Sequence, residues 1–220
     1  MEPFQPAPPQ ATPSSLETLQ VFPTLIHVYD LEPVRAEPLN QAIGALVDKL
    51  FDPPPNTMPG QNLSTHHDLH RYPEMAPLLE VYAAGIEQTI AKLKVQHEGW
   101  AITGCWANVN RPGVSHVAHN HPNNWLAAVY YVRAPDGGNA ITFHEPRQQS
   151  FPIRPIVARH AAVNASAHPV PVKPGRLVVF PAWLYHSVPA NQGRSDRMSV
   201  AFNMMLLDAE RVLPPLAWRD

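Results

Sequence analysis

From Trp100 to Leu206 the chain is a succession of short apolar runs, most of them bounded by proline, glycine or asparagine. Such a pattern favours strands joined by turns, because proline fixes φ, removes a hydrogen-bond donor and cannot continue a helix. The runs Trp100 to Asn110, Trp125 to Val132, Ala140 to His144, Arg176 to Phe180 and Met198 to Leu206 read as strands, and Asp136-Gly137-Gly138-Asn139 as a tight turn between two of them. With 27 prolines in 220 residues, long helices are confined to what precedes this region.

The first half is patterned differently. Residues 1–18 are rich in Pro, Gln, Ser and Thr and are expected to form a mobile tail. Apolar alternation from Val21 to Tyr29 predicts a strand. Ile43, Leu46, Val47 and Leu50 predict a helix over 39–51, ended by Pro53-Pro54-Pro55. A loop over 56–72 carries His66, His67 and His70, and Leu78, Leu79, Tyr82, Ile86, Ile90 and Leu93 form one stripe of a second helix over 75–96. Two helices followed by many short strands predict an α+β domain over 19–220 whose helices buttress a β-sandwich or barrel.

Composition narrows the function. A hydrophobic content of 45% and 15% charged residues suit one globular domain. A net charge of −2 and a pI near 6.6 offer no basic field for nucleic acid or an anionic membrane. The single cysteine, Cys105, leaves no internal disulfide framework and fits a reducing cytoplasm. The first residues lack the basic and apolar regions of a secretory signal.

The chemistry-bearing pattern is His119-Asn120-His121, answered far along the chain by His186 and then Arg197. Histidines at i and i+2 of an extended segment project to one side, and Pro122 biases His121 towards extended geometry. Imidazole is a strong ligand for divalent iron, zinc or copper. His186, arriving from another strand, would complete three ligands on one face of an ion and leave the opposite face open. Arg197 suits a buried carboxylate because its planar fork makes two charge-assisted hydrogen bonds, and Ser199 shares its strand face.

His119-Asn120-His121-Pro122, Val129 to Val132, Gly137 to Phe143, Pro174 to Pro181, His186 and Arg197 to Asn203 together resemble the 2-oxoglutarate/Fe(II)-dependent oxygenases, in their prolyl-hydroxylase-like branch. The resemblance spans about residues 100–206. It implies a double-stranded β-helix, or jelly roll, with the N-terminal helices packed on one sheet. It also implies a non-haem Fe(II)/2-oxoglutarate-dependent dioxygenase of hydroxylase type, with Fe(II) held by His119, His121 and His186, and 2-oxoglutarate as cosubstrate. The usual motif of that superfamily is His-x-Asp or His-x-Glu, and here His121 stands at the carboxylate position. Three neutral imidazoles leave the iron–cosubstrate pair one charge unit more positive than a carboxylate would.

The cosubstrate contacts expected are Arg197, Ser199 and Asn108, with Tyr131, Asn124 and Trp125 at the substrate pocket. His116 is expected off the face of His119, and Cys105 packed in its strand. The substrate would be a small molecule or a peptide, with no nucleic acid or membrane partner and a homodimer as the oligomer considered. Two other functions fit the same residues: a three-histidine iron dioxygenase that does not use 2-oxoglutarate, and a non-catalytic metal-binding jelly-roll module.

Overall fold

The computed structural model describes residue 15 and residues 17–52, 61–135, 139–147, 156–159 and 161–207. Most of the proline-rich segment 1–18, the triple proline and Asp136 to Gly138 of the expected turn lie outside the described residues.

Among the described residues ten strands and two α-helices follow in the order β1 (His27–Asp30), α1 (Pro33–Leu50), β2 (Leu63–Ser64), α2 (Ala76–Leu93), β3 (Trp100–Asn110), β4 (His116–His119), β5 (Leu126–Arg133), β6 (Ala140–His144), β7 (Ala167–Pro171), β8 (Arg176–Pro181), β9 (His186–Val188) and β10 (Arg197–Leu206). They build two sheets. One has six strands in the order β1-β8-β5-β10-β3-β2, the other four in the order β4-β9-β6-β7. Every pairing between these strands is antiparallel. Strands β3 to β10 pass between the sheets in jelly-roll fashion, as expected, and β1 and β2 extend the larger sheet at its edges.

Alternation along the strands divides the side chains between two cores. On β10, Met198, Val200, Phe202 and Met204 turn towards α1 and α2, where they join Ile43, Val47, Leu78, Tyr82, Ile86 and Ile90. Burial of each such side chain favours folding by about 1.5–3 kcal/mol, so this layer fixes the larger sheet as a platform. Ala127, Val129, Ile141, Phe143, Val178 and Phe180 fill the space between the sheets. Cys105 lies wholly buried on the helix side, and burial pushes its thiol up to about 12, so it packs rather than reacts.

Three sequence expectations change. The strand over 21–29 shrinks to His27–Asp30, and Phe22 is almost fully exposed in a left-handed conformation (φ 55°). Its partner β8 ends at Pro181, which has no N–H for a longer ladder. The first helix begins earlier, with Pro33 in its first turn where a missing N–H costs nothing, and runs through Pro38. Strands β7 and β9 carry too little apolar alternation to be seen in sequence. β7 buries only Val170, and β9 is three residues long.

Candidate metal centre

His119 closes β4, His186 opens β9, and the two residues face each other across that antiparallel pair. His121 lies beyond the end of β4, held by its backbone N–H donating to the Ala182 carbonyl at 2.8 Å. The i, i+2 alternation therefore does not operate within one strand. A backbone bond to the chain after β8 does the same work. The result is convergence: ring centroids of His119 and His186 are 4.4 Å apart, His121 and His186 5.1 Å, His119 and His121 5.2 Å. One ligand atom from each of the three lies within 4.8 Å of the others, the spacing of three donors around a single ion.

The hydrogen bonds point the same way. Nδ1 of His119 lies 2.8 Å from the Val117 carbonyl, and Nδ1 of His186 3.0 Å from the Leu184 carbonyl. A carbonyl only accepts, so both Nδ1 atoms are protonated and Nε2 keeps the lone pair a metal needs. Burial pushes His186 down to about 3 and His121 to about 4, with further lowering from the neighbouring rings. These two imidazoles are accordingly neutral, ready to ligate, at neutral pH. The donor set fits a divalent ion of intermediate softness, and among the described residues the cluster has three members, where a structural zinc site takes four.

Arg197, at the start of β10, is 1% exposed and lines the same cavity as the three histidines. Its Nη1 donates to Asn139 Oδ1 at 3.1 Å, its Nη2 to the Pro189 carbonyl at 3.1 Å, and Nε and Nη2 reach Asn110 Oδ1 at 3.4 Å. These acceptors are neutral, and among the described residues no aspartate or glutamate lines the cavity. Asn110 is held in turn: its Nδ2 donates to Asn62 Oδ1 at 2.7 Å and approaches His116 Nε2 at 3.3 Å, while Asn62 Nδ2 donates to Asn108 Oδ1 at 2.9 Å. Ser199 and Tyr131 complete the floor, and burial raises the Tyr131 phenol well above its ordinary range, keeping it a donor.

The structure thus brings together His119, His121, His186, Arg197, Ser199, Asn108 and Tyr131. It does not bring in Asn124 or Trp125. Asn124 ties down the turn after His121, donating to the Pro122 carbonyl at 3.0 Å and bonding Thr103. Trp125 packs against the helix-side core, because it precedes the first paired residue of β5 and the strand's alternation does not govern it. His116, expected off the face of His119, lines the cavity with its ring 6.2 Å from that of His119, because the register against β9 shifts between the two. Burial holds it at about 4. Trp106 is marked by the sequence only as a strand residue. It lines the cavity between His67, stacked on it at 4.4 Å, and His121 at 5.8 Å. His144 bonds Ser187 at 2.9 Å, and no second metal-ligand cluster forms among the described residues.

Several solved structures share this fold. A Pseudomonas putida prolyl-4-hydroxylase is 13% identical, with a TM-score of 0.57 over 83% of this chain and 93% of that one. The epimerase SnoN in complex with Fe3+, alpha ketoglutarate and nogalamycin RO is 14% identical, with a TM-score of 0.61 over 90% and 88%. HygX from Streptomyces hygroscopicus with nickel and 2-oxoglutarate bound is 12% identical, with a TM-score of 0.59 over 84% and 83%. At such identities the likeness bears on the fold. No curated protein matches the chain. The family model described as "Putative 2OG-Fe(II) oxygenase" matches residues 104–203, the stretch that carries the three histidines, Arg197 and Ser199.

Proposed function

We propose that the protein is an Fe(II)/2-oxoglutarate-dependent dioxygenase that hydroxylates a small molecule or a peptide side chain. The observation that carries this reading is Arg197, a buried cation with neutral partners that faces the same cavity as three converging imidazoles. A buried charge without a counter-charge is costly, and a carboxylate entering the cavity would relieve that cost.

His119, His121 and His186 would hold the ion through Nε2, with the remaining positions turned to the cavity. Iron with 2-oxoglutarate and dioxygen supplies the oxidation of a C–H bond, 2-oxoglutarate leaving as succinate and carbon dioxide. Arg197, Ser199 and the Tyr131 hydroxyl would bind the far carboxylate, and Asn108 and Asn110 would keep that end of the cavity polar. Three neutral ligands, a divalent ion, the guanidinium and a dianion sum to one positive charge, so the site favours an anionic cosubstrate. Ile141, Phe180 and Val188 make part of the cavity lining apolar.

No helix of the described residues is long and apolar enough to cross a membrane. The lone buried thiol and the mildly acidic charge support action in the cytoplasm.

The test is succinate release from 2-oxoglutarate in air with Fe(II), alongside anaerobic titration of the Fe(II)-loaded protein with 2-oxoglutarate. A weak visible charge-transfer band and slow succinate release are expected of the wild type, both lost in His186→Ala and Arg197→Met. Iron binding without any 2-oxoglutarate binding would overturn the cosubstrate and leave a three-histidine dioxygenase in its place.

A further inference from the structure

Strand β10 presents Arg197, Ser199 and Ala201 to the cavity, and the same face ends at Asn203 beside the metal ligands. Asn203 is 8% exposed. Its Nδ2 lies 3.3 Å from Nδ1 of His121, and its Oδ1 is buried without a hydrogen-bond partner. The register against β3 shifts between Asn203 and Met204, an irregularity of the kind that re-aims a side chain beside a site.

His119 and His186 each give their Nδ1 proton to a backbone carbonyl, which leaves Nε2 bare. Among the described residues no carbonyl does this at His121, and Asn203 occupies the place. If its amide nitrogen faced the ring, Nδ1 would have to accept, and a neutral imidazole would then carry its proton on Nε2, the nitrogen left for the ion. The oxygen and nitrogen of a carboxamide exchange places by a half turn of the same outline. Turned so, Oδ1 accepts from His121 Nδ1–H and all three rings share one tautomer, while Nδ2 takes the place that Oδ1 held without a partner.

We propose that Asn203 is the positioning residue for His121, its side-chain oxygen accepting the Nδ1 proton and holding the ring in the metal-binding tautomer. The inference rests on the three-histidine metal site but not on the use of 2-oxoglutarate. Outer partners of ligating histidines commonly carry about 10–100-fold in metal affinity.

Zn(II) is a suitable probe, being diamagnetic and needing no cosubstrate. Long-range 1H–15N correlation of the zinc-loaded wild type is expected to show His121 protonated at Nδ1 and metal-bound at Nε2. Asn203→Leu, of similar volume, is expected to bind Zn(II) about 10–100-fold more weakly. Asn203→Asp, whose carboxylate can only accept, is expected to restore the wild-type affinity, which a purely space-filling role would not predict. A bare Nδ1 on His121 in the zinc-loaded wild type, or equal affinities in the wild type and the leucine variant, would overturn the assignment. The first of these measurements needs no variant to fold. Absence of any zinc binding by the wild type would overturn the metal site itself, and with it this inference.

Discussion

Nη1 of Arg197 lies 3.1 Å from the side-chain oxygen of Asn139, the residue immediately before β6, while Asn139 Nδ2 is tied to the Pro135 carbonyl. The guanidinium is thus aimed by a residue at the start of another strand, in the opposite sheet. Arg197→Met is expected to raise the dissociation constant for 2-oxoglutarate by about 100-fold, equivalent to about 2.7 kcal/mol. Asn139→Ala, which removes one of several supports, is expected to raise it by about tenfold. Titration calorimetry on the metal-loaded protein reads both. Fe(II) affinity should stay at the wild-type value in each, since neither side chain is a metal ligand.

The buried histidines set the acid limit of the metal-free fold. His116 and His121 sit near 4 and His186 near 3, all lowered first by burial, whereas in the unfolded chain each titrates near 6.5. Between those limits the unfolded state binds more protons, so acid favours unfolding. The melting temperature of metal-free protein is expected to be level above pH 6.5 and to fall steadily towards pH 4. His186→Leu should flatten that fall, because one of the three groups is removed, while abolishing metal binding. Thermal scans across pH would reveal it, and a slope unchanged by the substitution would contradict the account.

The parts of this architecture visible in sequence are those set by strict alternation. Arg197 and Ser199 share a face because β10 keeps an unbroken register with β3 from Arg197 to Asn203, and the helix stripe of Leu78, Tyr82, Ile86 and Ile90 buries as its spacing requires. What sequence did not disclose depends on register and on contacts between distant segments. His116 faces the site only because the β4–β9 register slips. Asn62 and Asn139 reach Asn110 and Arg197 from separate loops, and nothing local in their surroundings marks them. Trp125, one residue before β5, turns to the helix-side core rather than to the cavity.

Tyr82 of α2 stacks on Phe202 at 4.2 Å, and its hydroxyl is buried with no hydrogen-bond partner among the described residues. Burial raises its phenol far above the ordinary range, so the group stays neutral and simply lacks a hydrogen bond. Tyr82→Phe keeps the ring stacking and deletes the orphan. It is expected to stabilise the fold by about 1 kcal/mol, raising the melting temperature by about 2–4 °C. A loss of stability would mean that the hydroxyl has a partner, such as a buried water.

Gly175 enters β8 at φ +83°, a conformation that side chains with a Cβ seldom adopt, and an added Cβ would lie 2.7 Å from Cβ of Ala36 on α1. Its N–H donates to the Tyr131 carbonyl and its carbonyl accepts from Leu31 N–H, both at 2.9 Å, so one residue joins the start of α1 to the strand bearing a cavity tyrosine. Neither the backbone nor the helix can move without losing one of those bonds. Gly175→Ala is therefore expected to destabilise by about 1–3 kcal/mol, combining strain at this φ with overpacking. The melting temperature should drop by several degrees, while metal affinity measured well below it should hold, because no ligand is touched. Retention of the wild-type melting temperature would show that α1 yields at Ala36 more readily than its packing implies.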